Sequence, residues 1–138
     1  MRLALVGYGK MGRVIESLAA EYRAEIVLRL DEFNNAHGAG MTPEAFAGVD
    51  AAIEFTSPDA VLGNLRRLAE LGIPTVCGTT GWYGELPAVA ELFQSRGGRF
   101  VYAPNFSIGV NLFERIVADA AALFAEREFG LLVYNAGA

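Results

Sequence analysis

The chain has 138 residues, 53% of them hydrophobic and 20% charged, and a net charge of −5. That length supports one domain with a real core, and the composition excludes a disordered chain. The acidic balance, with Arg66-Arg67 the only adjacent basic pair, excludes a nucleic-acid footprint, and a single cysteine excludes an internal disulfide or a cysteine-based metal cluster.

Leu3 to Val6 is an apolar run of strand length. Gly7, Gly9 and Gly12 follow at once in G-x-G-x-x-G spacing. Behind them Met11, Val14, Ile15, Leu18 and Ala19 recur at helical intervals, predicting a helix from about Lys10 to Tyr22. Strand, glycine turn and helix together give the fingerprint of a dinucleotide site its required context. Gly7 allows the tight turn, Gly9 the approach of a pyrophosphate, and Gly12 close packing of helix on strand. The anion then rests on amides at the helix N-terminus. A glycine-rich turn that binds nothing is the plain alternative. Lys10 and Arg13 are the nearest basic groups; both read as solvated cations, Lys10 joining the turn through its backbone.

Ala24 to Leu30 is a second strand, ending at Asp31, about 20 residues past Gly12. A carboxylate there accepts hydrogen bonds from the adenosine ribose hydroxyls and repels a 2′-phosphate, which favours NADH over NADPH. Arg29, two residues earlier, can accommodate a 2′-phosphate, so dual use stays open. A solvated turn aspartate is the alternative. From Glu32 to Gly48 the pattern breaks, with room for a short helix at Pro43 to Phe46. His37, the only histidine, reads as a solvated loop residue.

Asp50 to Phe55 is a third strand. Thr56 or Ser57 can cap the next helix, Pro58 fits its first turn, and Gly72 stops it. Ile73 to Cys77 is a fourth strand, its cysteine read as a buried inert thiol, and it runs into Gly78-Thr79-Thr80. A helix from about Glu85 to Arg96, a fifth strand from Arg99 to Tyr102, and a helix from Val110 to Ala125 follow. Phe129 to Tyr134 begins a sixth strand. This alternation predicts an α/β fold: a doubly wound parallel sheet of the Rossmann type with right-handed crossovers, in a single domain spanning residues 1–138. The first apolar run is too short for a signal peptide and no segment reaches membrane-spanning length, so the chain reads as soluble and cytoplasmic, with no membrane or nucleic-acid partner.

Thr56-Ser57, Gly78-Thr79-Thr80 and Asn105-Phe106-Ser107 all fall at strand ends, where an open α/β sheet holds its ligand. Their hydroxyls and amide can fix a carboxamide and ribose, and Phe106 can cover a flat ring. Ordinary turn chemistry is the competing account of each.

With these stretches in view, the chain resembles the dihydrodipicolinate reductase family, the 4-hydroxy-tetrahydrodipicolinate reductases of lysine and diaminopimelate biosynthesis. The resemblance is carried by Val6-Gly-Tyr-Gly-Lys-Met-Gly12, Glu54-Phe-Thr-Ser-Pro58, Val76-Cys-Gly-Thr-Thr-Gly81 and Ala103-Pro-Asn-Phe-Ser-Ile-Gly-Val-Asn111. It implies an oxidoreductase that binds NAD(P)H, with NADH favoured by Asp31. Gly7, Tyr8, Gly9, Lys10, Met11 and Gly12 would cradle the pyrophosphate, and Asp31 the ribose. Phe55 and Thr56 would also bind the cofactor. Gly78, Thr79 and Thr80 would meet the nicotinamide end, with Thr80 touching the small-molecule substrate, and Ala103, Pro104, Asn105 and Phe106 would complete the nicotinamide pocket. The nicotinamide would give hydride to the unsaturated ring of the cyclic substrate.

Family members continue into a substrate domain that opens with Glu-x-His-His-x-x-Lys and then a Ser-Gly-Thr turn. Here Tyr134 to Ala138 stand at that place. The expectation is therefore that the substrate domain is absent after about residue 134, with no catalytic residue and no metal site in this chain. Such a chain should bind cofactor and reduce substrate poorly or not at all. The resemblance implies a homotetramer built largely through the substrate domain, which leaves this chain's own assembly open. A non-catalytic NAD(P)-binding module, such as a redox sensor or regulatory subunit, is the alternative. A Rossmann dehydrogenase acting on homoserine or aspartate semialdehyde is a third, and the last two motifs speak against it.

Overall fold

The first strand, β1 (Arg2–Val6), is buried on both faces, and the architecture follows from that. The computed structural model describes residues 1–125. Ala4 and Val6 enter one core and Leu3 and Leu5 the other, as a central strand with side chains alternating between two covered faces requires. β1 runs into α1 (Lys10–Ala19), which a tight 3-10 turn leads to β2 (Glu25–Leu30). β3 (Ala51–Glu54), α2 (Pro58–Glu70), β4 (Thr75–Cys77), α3 (Leu86–Ser95) and β5 (Phe100–Tyr102) follow.

The five strands form one parallel sheet in the order β2-β1-β3-β4-β5. Ala19 of α1 joins Leu3, Leu5 and Ile26 on one face. Val61, Leu65 and Leu68 of α2 and Val89 and Phe93 of α3 cover the other. Each fully buried leucine there contributes roughly 2 kcal/mol. Met41 and Phe46, from the connection between β2 and β3, enter this second core. That connection holds overlapping turns over residues 43–48, so the expected short helix at Pro43–Phe46 does not form. The Thr42 hydroxyl accepts from the Ala45 amide, and the Phe46 amide donates to the Thr42 carbonyl at 3.1 Å. The turns bury two large side chains without a helix.

Register sets the level of the strand ends. Val6 pairs with both Leu30 and Glu54, Glu54 with Cys77, and Cys77 with Tyr102. The loops after all five strands therefore leave from one edge, and the chain reverses its direction of travel on either side of β1. That edge is where an open α/β sheet carries its ligand crevice.

The contacts divide the chain into two compact units after Pro104, and all five strands and both cores belong to the first. The second unit begins at Asn105 and contains α4 (Ile108–Ala125). Ser107 starts this helix: its hydroxyl accepts from the Val110 amide at 3.4 Å, and its carbonyl accepts from the Asn111 amide at 3.1 Å. The sixth strand predicted over Phe129 to Tyr134 lies outside the described residues.

Candidate functional site

The turn from β1 to α1 is built by three glycines that answer to different constraints. Gly7 has φ +100°. A Cβ there would stand 1.9 Å from the carbonyl oxygen of Phe55, so the backbone just past β3 excludes a side chain whatever the dihedral. Its amide donates to the Leu30 carbonyl at 2.8 Å, pinning the turn to the end of β2. A Cβ at Gly12 would lie 2.5 Å from the Gly7 carbonyl oxygen, so α1 comes down close on the turn. Gly9 is the opposite case, because a Cβ there meets nothing within 4 Å. It occupies the N-cap of α1, and no side chain caps that end. Amides at the head of the helix thus face open space, the arrangement that accepts an anion.

That open space is a crevice with two lobes. The larger, of about 1250 Å³, is bounded by the Gly7–Gly9 turn, Asp31, the connection through His37 and Met41, and the exposed flank of α2. The smaller, of about 380 Å³, is bounded by Gly9, Lys10 and Met11, by Phe55, Thr56 and Pro58, and by Gly78, Thr79 and Thr80. Gly9, Phe55 and Thr56 border both, so the head of α1 stands at the waist. A long, bent molecule with a negatively charged middle fits this shape. The fingerprint residues, Asp31 and two of the three strand-end clusters are brought together here. Ala103 and Pro104 close the first unit, the Ala103 amide donating to the Cys77 carbonyl at 3.3 Å. Asn105 and Phe106 belong to the second unit, where the Asn105 side chain accepts from the Ser107 amide at 2.7 Å.

Asp31 is held by its own turn. One carboxylate oxygen, Oδ1, accepts from the amides of Phe33 and Asn34 at 2.9 and 3.0 Å, and the Asn34 side chain accepts from the Asp31 amide at 2.8 Å. An Asx turn of this kind orients the carboxylate beside the crevice.

Under the smaller lobe lies a polar network absent from the sequence reading. Glu54 is fully buried. It accepts from the Thr56 hydroxyl, from the Asn64 amide at 3.3 Å and from the Cys77 thiol at 3.2 Å. The Thr79 hydroxyl oxygen accepts from the Thr56 amide at 2.7 Å, and the Trp82 indole donates to the Thr79 carbonyl at 2.7 Å. Thr56 and Thr79 thus turn their hydroxyls inward. Neither Thr56 nor Ser57 caps α2 with its side chain; the Thr56 hydroxyl donates to Glu54 and accepts from the Asn64 amide at 3.3 Å instead. Thr80, by contrast, is exposed on the lobe. Burial, reinforced by the Glu54 carboxylate, pushes the Cys77 thiol up to about 12, which makes it inert as a nucleophile.

Beside the waist, Tyr8 anchors a charged cluster. Its hydroxyl donates to Glu16, and Arg29 donates to the same carboxylate through Nε at 2.8 Å and through Nη2. The guanidinium carbons of Arg13 and Arg29 stand 5.7 and 5.9 Å from the Tyr8 ring centre. Arg13, which reads from sequence as a solvated cation, borders the larger lobe with Arg66 and Arg67. Arg67 is tied down: its Nε donates to the Met41 carbonyl at 2.8 Å, and it pairs with Glu70 at 3.1 Å. The helical periodicity of α1 and α2 could have flagged these arginines as the polar face nearest the glycine turn.

Residues 1–106 match the family model described as dihydrodipicolinate reductase, N-terminus. A 4-hydroxy-tetrahydrodipicolinate reductase from Christiangramia forsetii is 36% identical over 113 residues, which make up 82% of this chain and 45% of that protein. One of the same name from Nocardia farcinica is 33% identical over 135 residues, 87% of this chain and 49% of the relative. The chain thus spans about half the length of the curated relatives it matches. Among solved structures, a candidate homoserine dehydrogenase from Archaeoglobus fulgidus superposes with a TM-score of 0.58 at 16% identity, covering 74% of this chain and 42% of that one. A candidate NADPH-dependent oxidoreductase from Desulfitobacterium hafniense gives 0.58 at 14% identity, covering 75% and 34%. At such identities the likeness is one of fold, and that fold is a Rossmann-type sheet.

Proposed function

We propose, since the chain belongs to the dihydrodipicolinate reductase family, that it is the nucleotide-binding part of an NAD(P)H-dependent reductase. The substrate in this reading is the cyclic compound for which its relatives are named, in lysine and diaminopimelate biosynthesis. The observation that carries it is the two-lobed crevice with Gly9 and the uncapped head of α1 at its waist.

The bound nicotinamide would supply the hydride; this chain's residues supply grip and orientation. The backbone from Gly7 to Gly12 holds the pyrophosphate through amides. Asp31, with Oδ1 fixed by its turn, offers its other oxygen to the ribose hydroxyls. Phe55, Thr56, Gly78 and Thr79 wall the nicotinamide lobe, and Thr80 is the residue placed to meet substrate. The Glu54 network keeps the two walls at fixed separation, which is the positioning that hydride transfer requires.

Among the described residues bordering the smaller lobe, Lys10 is the one titratable side chain. That favours, as a second reading of the chain by itself, a module that binds nucleotide without reducing substrate. The two readings part in one assay. Energy transfer from Trp82, the only tryptophan, to added NADH reports binding, and absorbance at the nicotinamide band with the cyclic substrate reports turnover. Binding below millimolar NADH is expected in both cases, and no binding at millimolar NADH refutes both. Turnover by the chain alone refutes the second.

The ribose contact has a separate test. NADH should bind more tightly than NADPH, and Asp31→Ala should weaken NADH by about tenfold and narrow that gap. Equal affinities in the unmutated chain would show that Asp31 is not the ribose acceptor.

A further inference from the structure

We propose that Glu16 sets the choice between NADH and NADPH by withholding Arg29 from the ribose end of the crevice. This rests on reading that crevice as a dinucleotide site. Arg29 lies near the end of β2 and Asp31 is the first residue past that strand, so the two stand at most about 7 Å apart along the chain. An unengaged guanidinium there reaches the space beside Asp31, where a 2′-phosphate would stand, and its fork of donors suits phosphate oxygens.

In the structure that fork is already committed. Nε, at 2.8 Å, and Nη2 both donate to Oε1 of Glu16, and the Tyr8 hydroxyl donates to Oε2. Both carboxylate oxygens are thus in use. The Tyr8 ring lies beside the guanidinium, whose carbon stands 5.9 Å from the ring centre. Hydrogen bonds from Arg29 and Tyr8 hold the Glu16 carboxyl below its usual range, so it stays charged near neutrality. Seen from the ribose end, Arg29 is then cancelled by Glu16, while the Asp31 carboxylate, held by amides through Oδ1, has no cation paired with it among the described ion pairs. Arg13, also close to the Tyr8 ring at 5.7 Å, is the α1 cation that borders this lobe. Glu16 lies outside the G-x-G-x-x-G pattern and outside the Asp31 position, yet it decides what the neighbouring cation can bind.

The test compares NADH and NADPH affinities for the 138-residue chain and for Glu16→Gln, Arg29→Ala and the double variant, at low salt. Both side chains are substantially exposed, 42% for Arg29 and 29% for Glu16, so the substitutions leave the core untouched. NADH affinity serves as the control for folding in each variant. Glu16→Gln should improve NADPH relative to NADH by about three- to fivefold, the worth of an exposed ion pair. Arg29→Ala alone should leave NADPH affinity unchanged, and the double variant should lose the gain. A drop in NADPH affinity in Arg29→Ala would overturn the proposal, since the arginine would then already serve the phosphate. So would a gain that survives in the double variant, because removal of a negative charge, not release of Arg29, would explain it. In either case intact NADH binding leaves the cofactor reading standing; failure of both nucleotides to bind the unmutated chain refutes that reading and this one with it.

Discussion

Gly7 and Gly9 are two residues apart, and a methyl group meets opposite fates at the two positions. At Gly7 it would be driven into the Phe55 carbonyl, 1.9 Å away, on a backbone with φ +100°. At Gly9, φ is −85° and nothing lies within 4 Å. Gly7→Ala should therefore cost about 3 kcal/mol of stability, from overpacking and left-handed strain together. Gly9→Ala should cost under about 1 kcal/mol, the difference between glycine and alanine at an N-cap, while lowering NADH affinity tenfold or more. Urea unfolding and NADH titration on the two variants read both quantities. Similar losses of stability would mean that the space beside Gly9 is not open, and unchanged NADH affinity in Gly9→Ala that the pyrophosphate does not lie there. The glycine pattern and its division of roles are legible in the sequence; the clearance at each position is not, because it depends on how near the Phe55 carbonyl comes to each residue.

At the scale of elements, the tips of β3 and β4 are held as one piece by Glu54. The sequence shows Thr56 and Thr79 as candidates at strand ends and Cys77 as a buried inert thiol, but not their pairing. Glu54 sits inside an apolar run and reads as one more strand residue; only the register of Glu54 against Cys77 brings thiol and carboxylate together. Helix starts were obscured for a similar reason, since Ser107 begins α4 at Ile108 through a cap that the apolar periodicity from Val110 onward does not register. The network makes a pH prediction. The Cys77 thiol, pushed up by burial and then by Glu54, holds its proton in the fold to about pH 12, against an ordinary value of 9.0. The unfolded chain releases that proton from about pH 9 upward. Stability from this group is thus fully present below pH 9 and is lost as pH rises toward 12, by at most about 1.4 kcal/mol per pH unit. Cys77→Ser keeps a hydroxyl donor for Glu54 and removes the titration. Between pH 8 and 10.5 the unmutated chain should lose up to about 2 kcal/mol more than Cys77→Ser in urea unfolding. Parallel pH profiles would show that the thiol is not in a desolvated site.

For the whole molecule, strand–helix alternation makes the parallel sheet legible, whereas the order β2-β1-β3-β4-β5 depends on where the chain crosses between β2 and β3. That crossing is made by turns over residues 43–48, with Met41 and Phe46 as its anchors, and carries no helical or strand period to announce it. The first compact unit, Met1–Pro104, nevertheless holds the complete sheet and every described residue bordering the two lobes. The family match, over residues 1–106, covers nearly the same stretch. If this unit is the nucleotide-binding element, a fragment ending at Pro104 should unfold cooperatively. It should also bind ADP-ribose within about threefold of the full chain, a difference under 1 kcal/mol. Calorimetry with ADP-ribose tests the larger lobe and the waist, and the same titration with NADH, on both lengths, measures what residues after Pro104 add. A folded fragment that fails to hold ADP-ribose, beside a full chain that does, would move the binding determinants out of the sheet edge and into the second unit. The Gly7–Gly12 turn would then be a structural feature of the first unit alone.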